Sequence, residues 1–186
     1  MFKNFRLKML NREAASPKNK SLEIINGLNI NDGDVVGDIG AGGGFFTFKF
    51  SGKVGKEGRV YAIDTNQQAL EFIMNKSKEN GFDNIKVISA DDTGLDLPEK
   101  VDLFFLRNVF HHLKEPDKYF KGIRPFLKED GKIAVVDFKK KGLSFTGLFG
   151  HFTEEEFMID IMKKAGYEVH ERFNFLESQS FIIFKL

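Results

Sequence analysis

A glycine-rich segment in the first third of the chain constrains the fold most. Residues 35–50 read VVGDIGAGGGFFTFKF, in which a short apolar run ends at Asp38 and the run GAGGG leads into Phe45. This pattern predicts a buried strand, a tight turn and a helix. Glycine suits such a turn because it adopts positive φ, and because without a Cβ it lets a ligand lie against the backbone. The following helix would direct its free N–H groups toward whatever lies over the turn.

The spacing of the glycines distinguishes between two kinds of ligand site. A dinucleotide-binding turn has the pattern G-x-G-x-x-G, whose third glycine lets the helix and strand pack closely. Counted from Gly40 that position is Phe45, and counted from Gly42 it is Thr47; neither residue is small. The chain instead reads D-x-G-x-G-x-G from Asp38 onward. On this motif alone, an ordinary glycine-rich turn without a ligand stays open as an alternative.

The composition limits the broad class of the protein. A chain of 186 residues is enough for one domain with a sizeable core, and its 22 phenylalanines predict an aromatic interior. With 28 basic and 27 acidic residues, the net charge of +1 gives no global field for holding a nucleic acid backbone. The absence of cysteine excludes disulfides, thiolate metal ligands and cysteine nucleophiles. No apolar run has the length of a signal peptide core or a membrane span, so we predict a soluble cytoplasmic protein.

The first twenty residues carry the most uneven charge. Against Glu13 alone stand six basic residues, which gives a local net charge of +5, and apolar residues are interleaved with them. The basic residues are Lys3, Arg6, Lys8, Arg12, Lys18 and Lys20. We interpret this segment as a solvated N-terminal arm with a few residues packed onto the domain. The alternatives are a flexible lid over the substrate, or a basic apolar surface that meets an anionic lipid or a nucleic acid.

Strands and helices alternate along the rest of the chain. Beyond the first strand, apolar runs predict strands over residues 59–64, 85–89, 101–106 and 132–138, then a terminal hairpin of 167–173 and 180–186. The hairpin is antiparallel because its connection is too short for a parallel crossover. Helical periodicity predicts helices over residues 21–28, 116–126 and 153–165, the last with a capping box at Thr153 to Glu156, and one that ends before Gly81. This order predicts a doubly wound α/β fold with a mostly parallel seven-stranded sheet and an antiparallel C-terminal hairpin.

Chemistry-bearing residues follow four different strands of this predicted sheet. After the glycine turn, Asp64 ends the second strand, about 20 residues farther on, where nucleotide-binding βαβ units place a carboxylate on ribose hydroxyls. Asp91 and Asp92 follow the third strand, and Asn108 to His111 follow the fourth. Because ligands bind beyond the carboxyl ends of such strands, we expect the four connections to converge. No histidine or third acid accompanies the two aspartates at metal-binding spacing, so we predict no metal site.

With these four connections, the chain from Gly27 to Leu186 resembles class I S-adenosylmethionine-dependent methyltransferases. Its layout is similar to the ubiquinone/menaquinone C-methyltransferase-like branch, through the segments RVYAID, NVFHHL and GKIAVVDF and the late helix followed by a hairpin. The resemblance implies an enzyme with a single Rossmann-like methyltransferase domain that uses S-adenosyl-L-methionine. Within residues 1–186, it assigns residues 1–28 to an N-terminal arm or cap and residues 29–186 to the cofactor-binding core.

The resemblance also implies a set of cofactor-binding residues. They are Asp38, Gly40, Ala41, Gly42, Gly44, Asp64, Thr65, Asp91, Asp92, Arg107 and Asn108. The glycine turn would form the backbone cradle for the methionine part of the cofactor, with Asp38 near its ammonium group. Asp64 would accept hydrogen bonds from both ribose hydroxyls, and Thr65 would flank the adenosine.

The remaining residues of this set follow the third and fourth strands. By resemblance, Asp91 meets the adenine amino group and Asp92 supplies mainly its backbone N–H. The carbonyls near Arg107 and Asn108 would help to hold the ammonium end of the cofactor. Arg107 departs from the family pattern, because family members often have a small or apolar residue at this position.

His111 is the candidate catalytic residue. A sulfonium already carries an activated methyl group, so the enzyme mainly has to align the acceptor and exclude water. A weakly nucleophilic acceptor also needs its proton removed, and histidine is the side chain whose ordinary pKa suits a base at neutral pH. The alternative is that His111 and His112 cap or pack the loop after the fourth strand.

Three functions follow from these patterns. The first is methylation of a small molecule of aromatic or isoprenoid type, with the N-terminal arm and the loop from Lys139 to His151 closing the site. The second is methylation of RNA or protein, which the +5 arm favours. The residues RNVF after the fourth strand argue against it, because amino-methylating enzymes of nucleic acids commonly carry Asn/Asp-Pro-Pro-aromatic there. The third is a non-catalytic module that binds S-adenosyl-L-methionine.

Overall fold

The computed structural model describes residues 4–91, 94–139 and 152–186, and these contain six α-helices and seven strands. The helices are α1 (Phe5–Ala14), α2 (Ser21–Gly27), α3 (Phe45–Val54), α4 (Gln67–Asn80), α5 (Pro116–Ile123) and α6 (Glu155–Lys164). The strands are β1 (Val35–Ile39), β2 (Arg59–Asp64), β3 (Ile85–Ser89), β4 (Val101–Arg107), β5 (Leu127–Phe138), β6 (Glu168–Phe173) and β7 (Gln179–Lys185). They form a seven-stranded mixed sheet in the order β3-β2-β1-β4-β5-β7-β6. The predicted α/β fold with its antiparallel C-terminal hairpin is confirmed.

The chain divides into two compact units, Met1–Asp91 and Asp92–Leu186. In the first unit, β1, β2 and β3 run parallel, with Val35 opposite Arg59 and Val60 opposite Ile85. Strand β1 is buried along its whole length, as a central parallel strand covered on both faces should be. Asn66 is the N-cap of helix α4, and its side chain accepts the N–H of Gln68.

Helix α1 packs on the body of the first unit through one face. Leu7 and Ala14 are its buried residues, and Leu7 joins a buried cluster with Ala69 and Phe72 of α4. We predicted a solvated arm here, with only a few residues packed onto the domain. The segment is helical because no residue in FRLKMLNREA breaks the helix and most favour it.

In the second unit, β4 and β5 are parallel, whereas β5 pairs with β7 and β7 with β6 in antiparallel register. The outermost strand, β6, is mostly exposed, and its pairing shifts register between Val169 and Glu171. Its buried partner β7 carries the apolar run of the hairpin. The prediction that the last two strands are antiparallel is therefore correct.

Two element boundaries differ clearly from the prediction. The predicted helix over residues 116–126 ends at Ile123 and continues as a 3₁₀ turn, Arg124–Phe126, because Pro125 cannot donate a helical hydrogen bond. Strand β5 begins at Leu127 and includes Gly131, with a register shift opposite β4.

The predicted capping box at Thr153 is wrong. Helix α6 has Glu154 as its N-cap, and that residue makes no side-chain capping bond. The Thr153 hydroxyl donates to Asp137, and its N–H donates to the Phe138 carbonyl. Tertiary partners therefore replace the local cap that the sequence pattern indicates. No helix in the described parts of the chain is long and apolar enough to cross a membrane.

Candidate active site

The glycine turn between β1 and α3 is held by hydrogen bonds to β2. The N–H groups of Gly40 and Ala41 both donate to the Ile63 carbonyl, at 2.8 and 3.1 Å, and the Gly44 N–H donates to Ala41 at 2.8 Å. Gly40, Gly42 and Gly44 have φ values of 72°, 53° and 81°. Residues with a Cβ rarely adopt these angles, so the turn needs glycine at all three positions.

Asp64 lies against this turn. Its Oδ2 accepts the N–H of Gly42 at 2.8 Å, and its Oδ1 accepts the N–H of Asn66 at 2.8 Å. Thr65, between Asp64 and the cap of α4, is exposed. The carboxylate at the end of β2 and the glycine turn after β1 are thus brought together, although 22 residues separate Gly42 from Asp64.

Asp38 is a buried carboxyl group directly before the turn. The Thr47 hydroxyl donates to its Oδ2 at 2.6 Å. Burial raises the pKa of Asp38 to about 7, because desolvation penalises the carboxylate and the nearby Asp64 charge adds to this effect, while the Thr47 hydrogen bond opposes it. A cation placed next to Asp38 would therefore meet a group that can change its protonation near neutral pH.

Helix α1 contacts the same turn, which sequence reasoning missed. The Asn11 side chain donates from Nδ2 to the Gly43 carbonyl at 2.6 Å. A Cβ added at Gly43 would collide with Asn11 and lie 2.5 Å from the Leu7 carbonyl oxygen, and one added at Gly42 would lie 3.6 Å from Leu10. Nothing in the local pattern of α1 indicates this contact, because it arises from tertiary packing.

The end of β3 lies beside the end of β2. Asp64 is paired with Ser89 in the parallel register, and its carbonyl accepts the Ala90 N–H at 3.1 Å. Asp91 follows one residue later and is exposed. The first unit therefore brings together the glycine turn, Asp38, Asp64 and the segment that leads to Asp91, whereas Asp92 lies outside the described residues.

In the second unit, the side chains of Arg107 and Asn108 form hydrogen bonds with the first residue of β7. Asn108 adopts a φ of 56° at the end of β4, and its N–H donates to the Val136 carbonyl at 2.8 Å. Gln179, which is buried, donates from Nε2 to the Asn108 Oδ1 at 2.5 Å and accepts from the Arg107 Nη2 at 3.4 Å. Gln179 thus fixes both side chains, and sequence reasoning did not single it out.

His111 forms a buried pair with Asp137 of β5. Its Nδ1 is 2.7 Å from the Asp137 Oδ1, and its backbone N–H donates to Oδ2 at 2.9 Å. The two side chains are 5% and 0% exposed. The carboxylate also accepts the Phe138 N–H and the Thr153 hydroxyl. With the Nδ1 proton held by a carboxylate, Nε2 is the nitrogen of His111 that can take up a proton.

Asp137 is a further residue that sequence reasoning missed. In the sequence it belongs to the segment GKIAVVDF, where a single acid in an otherwise apolar strand is the signal that could indicate it. His112 packs its ring against His111, with ring centroids 4.0 Å apart. The loop predicted to shape the acceptor site, Lys139 to His151, lies outside the described residues except for Lys139. Among the described residues, no group of three acids and histidines is arranged to hold a metal ion.

Comparison with known proteins settles the family. Residues 30–177 match the family model described as a methyltransferase domain. The chain belongs to the methyltransferase domain family. The predicted family, class I S-adenosylmethionine-dependent methyltransferases, is thereby confirmed, and with it the enzyme class and the cofactor of that family.

Two relatives and one solved structure resemble this methyltransferase domain. It is 27% identical over 137 residues to (S)-coclaurine N-methyltransferase of Thalictrum flavum subsp. glaucum. This alignment covers 74% of this chain and 37% of the relative. It is 30% identical over 110 residues to the ubiquinone/menaquinone biosynthesis C-methyltransferase of Vibrio campbellii (strain ATCC BAA-1116), covering 58% of this chain and 42% of the relative. The chain thus spans less than half the length of these relatives.

The solved structure matches nearly the whole length of this chain. It is a SAM-dependent methyltransferase from Aquifex aeolicus, with a TM-score of 0.84 and 25% identity, covering 99% of this chain and 98% of that chain. The likeness therefore extends to the N-terminal helices before residue 30, where the family model begins.

The residues of the methyltransferase domain fit the cofactor of the family in two respects. The turn carries positive φ at Gly40, Gly42 and Gly44, and none of these residues adds a Cβ of its own to the turn. Two carboxyl groups of different character stand beside it: the half-buried Asp64 and the buried Asp38. Acceptors for ribose hydroxyls and a counter-charge for an ammonium group are the functions that such a pair can supply.

Proposed function

We propose that this protein transfers a methyl group from S-adenosyl-L-methionine to a small-molecule acceptor of aromatic or isoprenoid type, with His111 as the base. The buried pair of His111 and Asp137 carries this proposal, because a methyltransferase that works by alignment alone needs no oriented base. The names of the relatives support a small acceptor, since they refer to coclaurine and to ubiquinone/menaquinone biosynthesis. A cytoplasmic location and a single domain over residues 1–186 stay predictions within this proposal.

In this proposal, the predicted cofactor-binding residues have distinct roles. When bound, S-adenosyl-L-methionine supplies a methyl group activated by a sulfonium. The glycine turn would hold the methionine part through its backbone, and Asp64 would accept the ribose hydroxyls. Asp38 would balance the ammonium group, while Thr65 and Asp91 would contact the adenosine. Asp92, Arg107 and Asn108 keep their predicted cofactor-binding roles.

The second unit supplies the proton chemistry. Asp137 accepts the Nδ1 proton of His111, which fixes the tautomer and directs the basic lone pair to Nε2. When Nε2 takes the acceptor's proton, the imidazolium forms next to a buried carboxylate that stabilises its charge. Asp137 acts through His111 and is a positioning residue. Its bonds to the Phe138 N–H and the Thr153 hydroxyl hold the carboxylate in place.

The substitution His111→Gln tests the base. We expect turnover with the acceptor to fall by about 10²- to 10⁴-fold, while the affinity for S-adenosyl-L-methionine, measured by calorimetry, stays unchanged. The matched control is His170→Gln, which removes an exposed histidine from β6 and should leave both quantities as they are. Full turnover in His111→Gln would show that alignment alone drives the reaction.

A second measurement separates the base from a structural role. Asp137→Asn should lower turnover at a temperature where thermal unfolding shows the variant to be folded, because the imidazolium loses its charged partner. A variant that is merely less stable would recover full turnover once it is folded.

The acceptor class requires its own experiment. Incubating the protein with labelled S-adenosyl-L-methionine and cell extract, followed by fractionation, should place the label in the small-molecule fraction. Label in RNA or protein would support the alternative that the basic N-terminal segment favours. Cofactor binding with no labelled product in any fraction would support a non-catalytic module.

A further inference from the structure

The outward face of α1 combines apolar side chains with positive charge. A helix turns by roughly 100° per residue, so Phe5, Met9 and Arg12 share one face, opposite the inner face that contains Leu7 and Asn11. Phe5 and Met9 are 64% and 50% exposed. The buried Leu7 and the hydrogen bond from Asn11 to Gly43 fix the orientation of the helix. The helix therefore cannot rotate to bury Phe5 and Met9.

The charges on this helix are strongly biased. Arg6, Lys8 and Arg12 are exposed and stand against Glu13 alone within α1. The first twenty residues carry a net charge of +5, whereas the whole chain carries +1. The positive excess is therefore local, and it surrounds the two apolar side chains.

We propose that the outward face of α1 docks on an anionic lipid membrane. An interfacial helix places large apolar side chains below the headgroups and keeps basic residues at the level of the lipid phosphates, which is the arrangement of Phe5, Met9 and their flanking cations. A nucleic acid would match the cations but would leave Met9 without an apolar partner. With two apolar anchors on ten residues, the association is reversible.

Docking on this face leaves the contact with the glycine turn intact. Asn11 and the backbone of Leu7, which touch Gly43, lie on the inner face of the same helix. The lipid would contact the outward face of α1, while the inner face keeps its contact with the glycine turn. Membrane binding is therefore expected to slow amide exchange in α1 without displacing it from the turn.

Vesicle co-sedimentation of the full chain tests the proposal. Wild-type protein should bind vesicles of phosphatidylcholine with about one third phosphatidylglycerol, and should bind pure phosphatidylcholine at least about tenfold more weakly. Raising the salt to about 0.5 M should remove most of the preference. Hydrogen–deuterium exchange in α1 should slow only with the anionic vesicles.

Two variants separate the apolar contribution from the charge. Phe5→Ser with Met9→Ser should weaken binding to anionic vesicles by about tenfold, and Arg6→Gln with Lys8→Gln and Arg12→Gln should abolish the preference for phosphatidylglycerol. The control is Phe157→Ser, which removes a phenylalanine that is 54% exposed on α6 and should change nothing. Thermal unfolding checks that each variant is folded.

Three results would overturn the proposal. One is equal binding of the Phe5/Met9 variant and the wild type, and another is equal binding of the wild type to both kinds of vesicle. The third is a salt-dependent shift of single-stranded RNA by a protein that binds no vesicles, which would assign the surface to nucleic acid.

Discussion

Asp38 makes the stability of the protein depend on pH in an unusual direction. Its folded-state pKa of about 7 lies above the value of 3.8 in an unfolded chain, so between these values the folded state holds a proton that the unfolded state releases. The contribution of Asp38 to the free energy of unfolding is therefore fully present below pH 4, and it is lost as the pH rises toward 7.

The substitution Asp38→Asn isolates this effect. Between pH 4 and 7, we expect the free energy of unfolding of the wild type to fall by at most about 1.4 kcal/mol per pH unit through this group. The variant should lack this decrease when thermal or urea unfolding is measured at several pH values. Asparagine keeps an oxygen for the Thr47 hydroxyl, so the local hydrogen bond survives. Identical pH dependence in the two proteins would contradict the raised pKa.

Asp64 is expected to contribute directly to cofactor affinity. Replacing it by alanine should weaken binding of S-adenosyl-L-methionine by about 1–3 kcal/mol, the usual loss for a charge-assisted hydrogen bond. Calorimetry measures this change, with Asp83→Ala as the control, because Asp83 is an exposed aspartate in the loop after α4. Unchanged affinity in Asp64→Ala would mean that the ribose assignment is wrong.

At the scale of elements, the packing of α1 on the glycine turn is the contact to test. Gly43→Ala adds a Cβ that would collide with Asn11 and the Leu7 carbonyl, so α1 must shift away from the turn. We expect a loss of about 1–3 kcal/mol in the free energy of unfolding and faster amide exchange in α1.

The neighbouring helix offers a matched control for that substitution. Gly52 lies inside α3, and a Cβ there would meet nothing within 4 Å. Gly52→Ala should therefore stabilise the protein by about 0.5–1 kcal/mol through helix propensity, as measured by urea unfolding. If both alanine variants behaved alike, the close approach of α1 to Gly43 would be refuted.

The elements also show which parts of the protein the sequence could predict. The strands β2 and β3 have the predicted boundaries, since each is a short apolar run bounded by polar or glycine residues. The pairing of Asp64 with the glycine turn followed from strand order alone. By contrast, the partners Asp137 and Gln179 lie 26 and 71 residues from His111 and Asn108. No local pattern connects residues so far apart, so these contacts required the structure.

At the scale of the whole molecule, cofactor binding should raise the unfolding temperature. A ligand at about 100 times its Kd adds about 2.7 kcal/mol, which corresponds to a rise of about 5–10 °C for a protein of this size. We expect this shift with S-adenosyl-L-methionine or S-adenosylhomocysteine and none with NAD, in a fluorescence-monitored thermal scan. A shift with NAD alone would point to a dinucleotide site, against the spacing of the glycines.

The outermost strand β6 has a consequence for behaviour at high concentration. An edge strand offers open backbone donors and acceptors to any neighbouring chain, which is the usual start of sheet-to-sheet aggregation. Here the pairing of β6 with β7 shifts register after Val169, which disturbs the regular strand that a neighbouring chain would need, and the exposed charges of Glu168, Glu171 and Arg172 oppose the approach of a second strand. Within the part of the chain that the structure describes, β6 thus carries its own protection against uncontrolled growth of the sheet at this edge.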